Sequence, residues 1–179
     1  MKNIFIGGVA KSGKSRLAID LCKKYGMNHI PLDYFASSFK HNFPEVGIKT
    51  NVIIDPDSSK LLSLFISRFI DIAESNEDEL FILDSAHVLP DDIIKFLNPK
   101  KWDVYFVGYP NTTSLDKLEE VKKYISNGWI YSRSEEELIE IFDRLINLSK
   151  EIEKICKEKS INFIDTSNTD VLKIYNNVK

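Results

Sequence analysis

The sequence predicts an α/β fold: three layers, α/β/α, around a parallel sheet of about five strands. Three observations carry the prediction. Short apolar runs of about four residues alternate with segments of helical period. Several runs are apolar throughout, the pattern of strands covered on both faces. Polar residues gather at the C-terminal ends of the runs (Gly8 to Ser15, Asp33, Asp84, Tyr109 and Asp165), the edge at which open parallel sheets bind ligands.

Taken in order, Ile4-Phe5-Ile6 followed by Gly7-Gly8 reads as a buried strand entering a turn. Leu17, Ala18, Leu21 and Cys22 recur at helical spacing, and Gly26 supplies a stop. His29 to Leu32 is a second short strand, closed by Asp33. Tyr34 to Phe43 has weak helical character and is broken by Pro44 and Gly47. Val52-Ile53-Ile54 reads as another extended piece, and Asp55-Pro56-Asp57-Ser58 as the start of the apolar helix Leu61 to Ala73. Leu80 to Leu83 is an apolar strand ending in Asp84, and Pro90-Asp91-Asp92 opens a short helix. Val104 to Val107 is the fourth strand, ending in Gly108-Tyr109-Pro110. Ser114 to Tyr124 is helical, Asn127 to Arg133 a loop or turn, and Ser134 to Lys157 a long helix. Ser134 with Glu137 three residues on is a capping box for it. Ile161 to Ile164 is the last strand and Asp170 to Asn176 a closing helix.

With 43% hydrophobic and 28% charged residues among 179, the composition is that of an ordinary globular chain with a substantial core. A net charge of -3 gives no global basic field, so nucleic acid is not an expected partner. The cations are 20 Lys against 4 Arg, which matters because lysine lacks the planar fork of arginine. Cys22 and Cys156 sit far apart in helical contexts and outside any metal spacing, so both read as reduced thiols. No apolar run reaches the length of a membrane span, and the N-terminus enters a strand without a signal-peptide pattern. The expectation is a cytoplasmic protein with no membrane partner.

Gly8 to Ser15, GVAKSGKS, fits G-x-x-x-x-G-K-[ST] in full. A glycine-containing surface turn is the alternative, and the strand before it and helix after it argue against that. Gly8 and Gly13 allow the dihedrals by which backbone N–H groups turn inward around phosphate oxygens. The helix N-terminus aims its unpaired donors and dipole at the anion. Lys14 reaches the β- and γ-phosphates, and Ser15 supplies a hydroxyl to Mg²⁺. Lys11 and Ser12 fill variable positions, Lys11 adding positive potential or facing solvent.

Strand, loop and helix, with the strand that ends at Asp84, resemble a P-loop nucleoside-triphosphate-binding domain. The resemblance implies that Asp84, as the Walker B acid, holds Mg²⁺ together with Ser15; a plain strand-end aspartate is the other reading. The guanine-reading Asn-Lys-x-Asp of GTPases is absent, and Asp84-Ser85-Ala86-His87 replaces their Asp-x-x-Gly. Motor and unfoldase ATPases are usually longer, and DNA-acting ones carry basic and aromatic stripes. The chain is most similar to the small-kinase branch, covering nucleoside, nucleotide and small-molecule kinases.

That resemblance implies one kinase-like domain over 1–179, with an acceptor segment at about 33–50 and a lid-like segment at about 115–134. It implies ATP and Mg²⁺, and transfer of a phosphoryl group to a small hydroxyl or phosphate acceptor. A nucleotide-binding regulator without a small acceptor is the competing class. Asp33 is placed to orient or deprotonate the acceptor, and it is equally suited to cap the helix beginning near Tyr34. Phe35, Phe39 and Phe43 share one helical face, read as core or pocket wall. Lys40 and His41 face an anionic acceptor or solvent. The lid holds Lys117, Lys122, Lys123 and Arg133; Arg133 is the candidate for the transferring phosphoryl group, a surface arginine being its other reading, and the paired Lys122 and Lys123 read as ordinary charges of an amphipathic helix. Thr166 and Ser167 stand where such kinases pack adenine, or cap the final helix. Tyr109 and Pro110 are placed on the acceptor side, and His87 reads as an exposed histidine. The four arginines argue against a nucleotide monophosphate as acceptor and for a nucleoside, sugar acid or other hydroxyl metabolite, although lysine substitution keeps the former open.

Overall fold

The computed structural model describes residues 1–76, 78–124 and 128–168. The expected closing helix, Asp170 to Asn176, lies outside the described residues. Five strands, β1 (Asn3–Gly8), β2 (Asn28–Pro31), β3 (Phe81–Asp84), β4 (Trp102–Gly108) and β5 (Asn162–Asp165), form one sheet of order β2-β3-β1-β4-β5. Every pairing is parallel, and Ile6 of β1 stands opposite Asp84 of β3. The connections are α1 (Lys14–Tyr25), α2 (Leu32–Asn42) with α3 (Pro56–Ser75), α4 (Pro90–Ile93), and α5 (Ser114–Tyr124) with α6 (Glu135–Glu158).

The layers follow from the alternation of side chains along each strand. Ile4 and Ile6 of β1 join Ile82, Leu17, Ala18 and Leu21, the cluster under α1. Phe5 points the other way, with Leu83 and Phe106, into the cluster filled by Leu62, Ile66 and Ile70 of α3 and by Phe142, Leu145 and Ile146 of α6. The Phe5 and Phe106 ring centroids are 5.9 Å apart. Cys156 lies in this second cluster, where burial pushes its thiol up to about 12, so it stays an inert thiol.

Caps set the helix limits. Asp55 accepts from Ser58 N at 3.0 Å ahead of Pro56, which starts α3 where expected. Ser134 and Glu137 complete the capping box of α6, Ser134 N donating to Glu137 Oε2 at 3.0 Å and Glu137 N to Ser134 Oγ at 3.3 Å. Replacing Ser134 with alanine costs about 1 kcal/mol, and a thermal melt should show it as a fall of roughly 2–4 °C. Truncating a fully buried side chain such as Phe142 is worth about 3–5 kcal/mol. Packing therefore holds α6, and the cap fixes where it begins.

Two expected elements differ. Val52 to Ile54 is not a strand: Ile54 is buried and Val52 and Ile53 pack on the core from a loop. Their apolar character reports burial, not pairing. The helix expected to start near Tyr34 starts at Leu32, directly after Pro31 and without a side-chain cap. Among the described residues no helix is long and apolar enough to cross a membrane.

Candidate active site

β1 delivers the chain to Gly8, whose φ is 132° and where a Cβ would overlap the Val107 carbonyl of β4. Only glycine fits there. The loop passes through Lys11 at φ 60° and reaches Gly13, whose left-handed backbone caps α1 without a side-chain hydrogen bond. The first amides of α1 are thus left for a ligand. Two side chains brace the loop. Tyr109 Oη donates to Ala10 O at 2.8 Å, and Thr166 Oγ1 reaches Gly108 O at 3.1 Å and Ser12 O at 3.4 Å. Tyr109 does not line the acceptor side: it is fully buried, its ring in the core and its hydroxyl taken by the loop backbone.

A cleft of about 930 Å³ opens over this loop. Lys14 is buried in its wall and donates to the loop's own Val9 O at 2.9 Å. Burial lowers its pKa; Asp33 and Asp84 oppose the shift and Lys11 adds to it. Lys11, read either as added positive potential at the loop or as solvent-facing, is half-buried: its ammonium lies 5.6 Å from the Trp129 ring centroid, and burial lowers its pKa too. The Ser12 hydroxyl is buried with no partner among the described residues. Two desolvated cations, an orphan hydroxyl and a helix N-terminus thus converge on one spot, which fits a polyanion such as a triphosphate.

Ser15 Oγ donates to Asp84 Oδ2 at 2.8 Å, and His29 Nε2 lies 2.6 Å from Asp84 Oδ1. A hydroxyl beside a carboxylate is the hard oxygen set that Mg²⁺ takes, so Ser15 and Asp84 fit that ion. Asp33 also lines the cleft, and its Oδ1 accepts from Ala86 N at 2.9 Å and Ser85 Oγ at 3.4 Å. Asp33 does not cap α2: it sits inside the first turn, and its carboxylate bonds the segment after β3.

No family model matches the chain, and no curated protein matches it by sequence. Solved structures do match. A gluconokinase from Sinorhizobium meliloti superposes with a TM-score of 0.63 at 14% identity, over 98% of this chain and 87% of that one. A shikimate kinase from Acinetobacter baumannii, in complex with shikimate, gives 0.59 at 13% identity over 99% and 90%. A putative kinase from Chloroflexus aurantiacus gives 0.53 at 13% identity over 99% and 93%. The chain has a P-loop kinase-like fold.

Within this kinase-like fold the cleft wall gathers Lys11, Ser12, Gly13, Lys14, Ser15, Asp33, Thr166 and Ser167. Gly8 and Asp84 stand behind it, Gly8 at the loop's origin and Asp84 bonded to Ser15. Ser167 Oγ donates to Asp165 Oδ1 at 2.6 Å and accepts from Asn111 N at 2.8 Å, so it holds the turn after β5. Arg133 is exposed and stays outside the wall, its guanidinium 5.2 Å from the Trp129 ring centroid.

Lys117, another cation of the lid segment, is buried in the wall, paired with Glu120 at 2.9 Å and 4.5 Å from the Tyr109 ring centroid. His87 is half-buried, and its pKa is lowered, first by that burial, with the Lys14 and Lys40 charges adding and Asp33 opposing. Phe35 and Phe43 are neither core nor pocket wall: both are exposed, and Phe39 packs edge-on against Phe65, centroids 4.6 Å apart. Sequence reasoning gave no site role to His29, read only as the start of the second strand, or to Trp129. His29 is visible only once β2 is known to lie beside β3.

Proposed function

We propose that the protein transfers a phosphoryl group from Mg-ATP to a small-molecule acceptor bearing a hydroxyl or phosphate. The observation that carries this reading is one cleft lined by both the Lys14 loop and Asp33. Lys14 and the loop amides hold the triphosphate and neutralise charge that grows on its oxygens. Ser15 and Asp84 hold Mg²⁺, which when bound shields the phosphates and helps fix their orientation. Asp33, anchored through Oδ1, presents its other oxygen to the acceptor and takes the proton of an attacking hydroxyl. Thr166 and Ser167 border the nucleotide end.

Neighbours named for gluconate and shikimate support a hydroxyl-bearing metabolite as acceptor. ATP rather than GTP follows from the missing guanine motif. A regulator without a small acceptor would not need an aspartate turned into a cleft of this size.

For the cation that meets the transferring group, burial favours Lys117, with Arg133 on Trp129 as the next candidate. Lys117→Met should lower kcat about tenfold, and Arg133→Met should lower it less. Steady-state rates of the two variants decide between them, the reverse order restoring Arg133 to the role. The activity itself is tested by incubating the protein with Mg-ATP and a panel of nucleosides, sugar acids and other hydroxyl metabolites. At least one acceptor should raise ADP release well above the acceptor-free rate. A flat panel would favour the regulator.

A further inference from the structure

β2 is an edge strand, and His29 stands opposite Ile82 of β3. Ile82 and Asp84 are two residues apart, so both point to the α1 side of the sheet. That side is otherwise apolar, built from Ile4, Ile6, Leu17 and Leu21. In it Asp84 has two partners among the described residues: Ser15 Oγ on Oδ2 at 2.8 Å and His29 Nε2 on Oδ1 at 2.6 Å. A carboxylate oxygen accepts, so Nε2 carries the hydrogen of this bond. Asp84 is only 2% exposed, whereas the His29 side chain is 19% exposed. Water therefore has little access to Oδ1, and losing the imidazole leaves that oxygen without a partner.

We propose that His29 is a positioning residue for Asp84. It fixes the carboxylate plane by holding Oδ1, so that Oδ2 faces Ser15 and the phosphate side of the loop. The inference rests on the reading of Ser15 and Asp84 as the Mg²⁺ residues and extends it to how tightly Mg²⁺-nucleotide is held. Without the imidazole the aspartate is held by Ser15 alone and turns more readily about χ1 and χ2, so its oxygen meets the site in fewer conformers. The consequence is specific: binding of nucleotide with metal weakens, and binding of nucleotide without metal does not.

The test is equilibrium binding of ADP by calorimetry, in Mg²⁺ and in EDTA, for the wild type, His29→Ala, His29→Leu and His29→Gln. Leucine fills the volume without a donor. Glutamine places an amide nitrogen as many bonds from Cα as Nε2. Thermal melts show which variants fold, and leucine serves if the alanine variant does not. Wild type should bind ADP more tightly in Mg²⁺ than in EDTA. His29→Ala and His29→Leu should lose about tenfold of the affinity in Mg²⁺ and keep the EDTA affinity, and His29→Gln should recover most of the loss. Equal weakening in both buffers, or unchanged Mg²⁺ tightening in the donor-less variants, would overturn the proposal. A wild type that Mg²⁺ does not tighten would overturn the metal reading of Ser15 and Asp84, and the positioning role with it; that result is distinct because it appears before any substitution is made.

Discussion

Lys14→Ala should cut phosphoryl transfer by about 10²–10³-fold while the domain stays folded. The two halves of that expectation have separate grounds. Lys14 is buried in the wall of the cleft and bonds Val9 O, a loop carbonyl. A triphosphate offers it a stronger, charge-assisted partner in the same place. Alanine leaves the amides of α1 but removes the charge that follows the phosphoryl group through the reaction. Stability should not suffer, because alanine is the best helix former and Lys14 is the first residue of α1. The sign of the electrostatic part agrees. Burial depresses the folded pKa of Lys14, so the unfolded chain binds its proton more readily and the buried charge subtracts from stability at neutral pH. That deficit shrinks as pH rises toward the ordinary lysine value. The variant should therefore melt at or above the wild-type temperature in the absence of nucleotide. Mg-ATP should raise the melting temperature of the wild type by more than that of the variant. A coupled ADP-release assay and calorimetric melts check both halves. Full turnover in the variant would remove the phosphate-cradle reading.

The frame of the molecule was legible because it depends on local pattern. Ile4 to Ile6, Leu80 to Leu83 and Val104 to Val107 are apolar on both faces, the pattern of a covered parallel sheet, and the loop with its flanking strand and helix is a contiguous signature. Val52 to Ile54 carried the same composition and failed, since a loop buried on the core selects the same side chains as a strand. The site was legible only where it is contiguous. Lys14 and Ser15 follow from one motif, and Asp84 from the end of one strand. The burial of Lys117 was not legible, because helical period says which face it shares with Leu118 and Val121, not that Tyr109 and the cleft lie over that face. Tyr109 was misjudged for the converse reason: a strand end points toward the ligand edge, yet its hydroxyl is spent on Ala10 O. His29 required the order β2-β3-β1, a long-range fact with no local trace.

Asp33→Asn should lower transfer by about 10²-fold or more and leave ATP affinity within about twofold. Asparagine keeps the size of the side chain and the oxygen that accepts from Ala86 N and Ser85 Oγ, so the segment after β3 should remain where it is. What changes is the second atom. In the native chain it is a carboxylate oxygen with no hydrogen-bond partner among the described residues, able to accept a proton. In the variant it is an amide nitrogen, which donates and cannot serve as base. An acceptor hydroxyl that bonded the oxygen would meet a second donor there. The loss should therefore fall on kcat and on acceptor KM, and not on ATP binding, which uses Lys14 and the loop amides. Steady-state kinetics with both substrates varied, beside direct ATP binding, separate these outcomes. If ATP affinity fell instead, with transfer reduced only in proportion, Asp33 would be acting on the loop through Lys14, whose charge it supports. The acceptor would then have to meet a different group, and the half-buried His87, close enough for the Asp33 charge to influence its pKa, would be the next residue to replace.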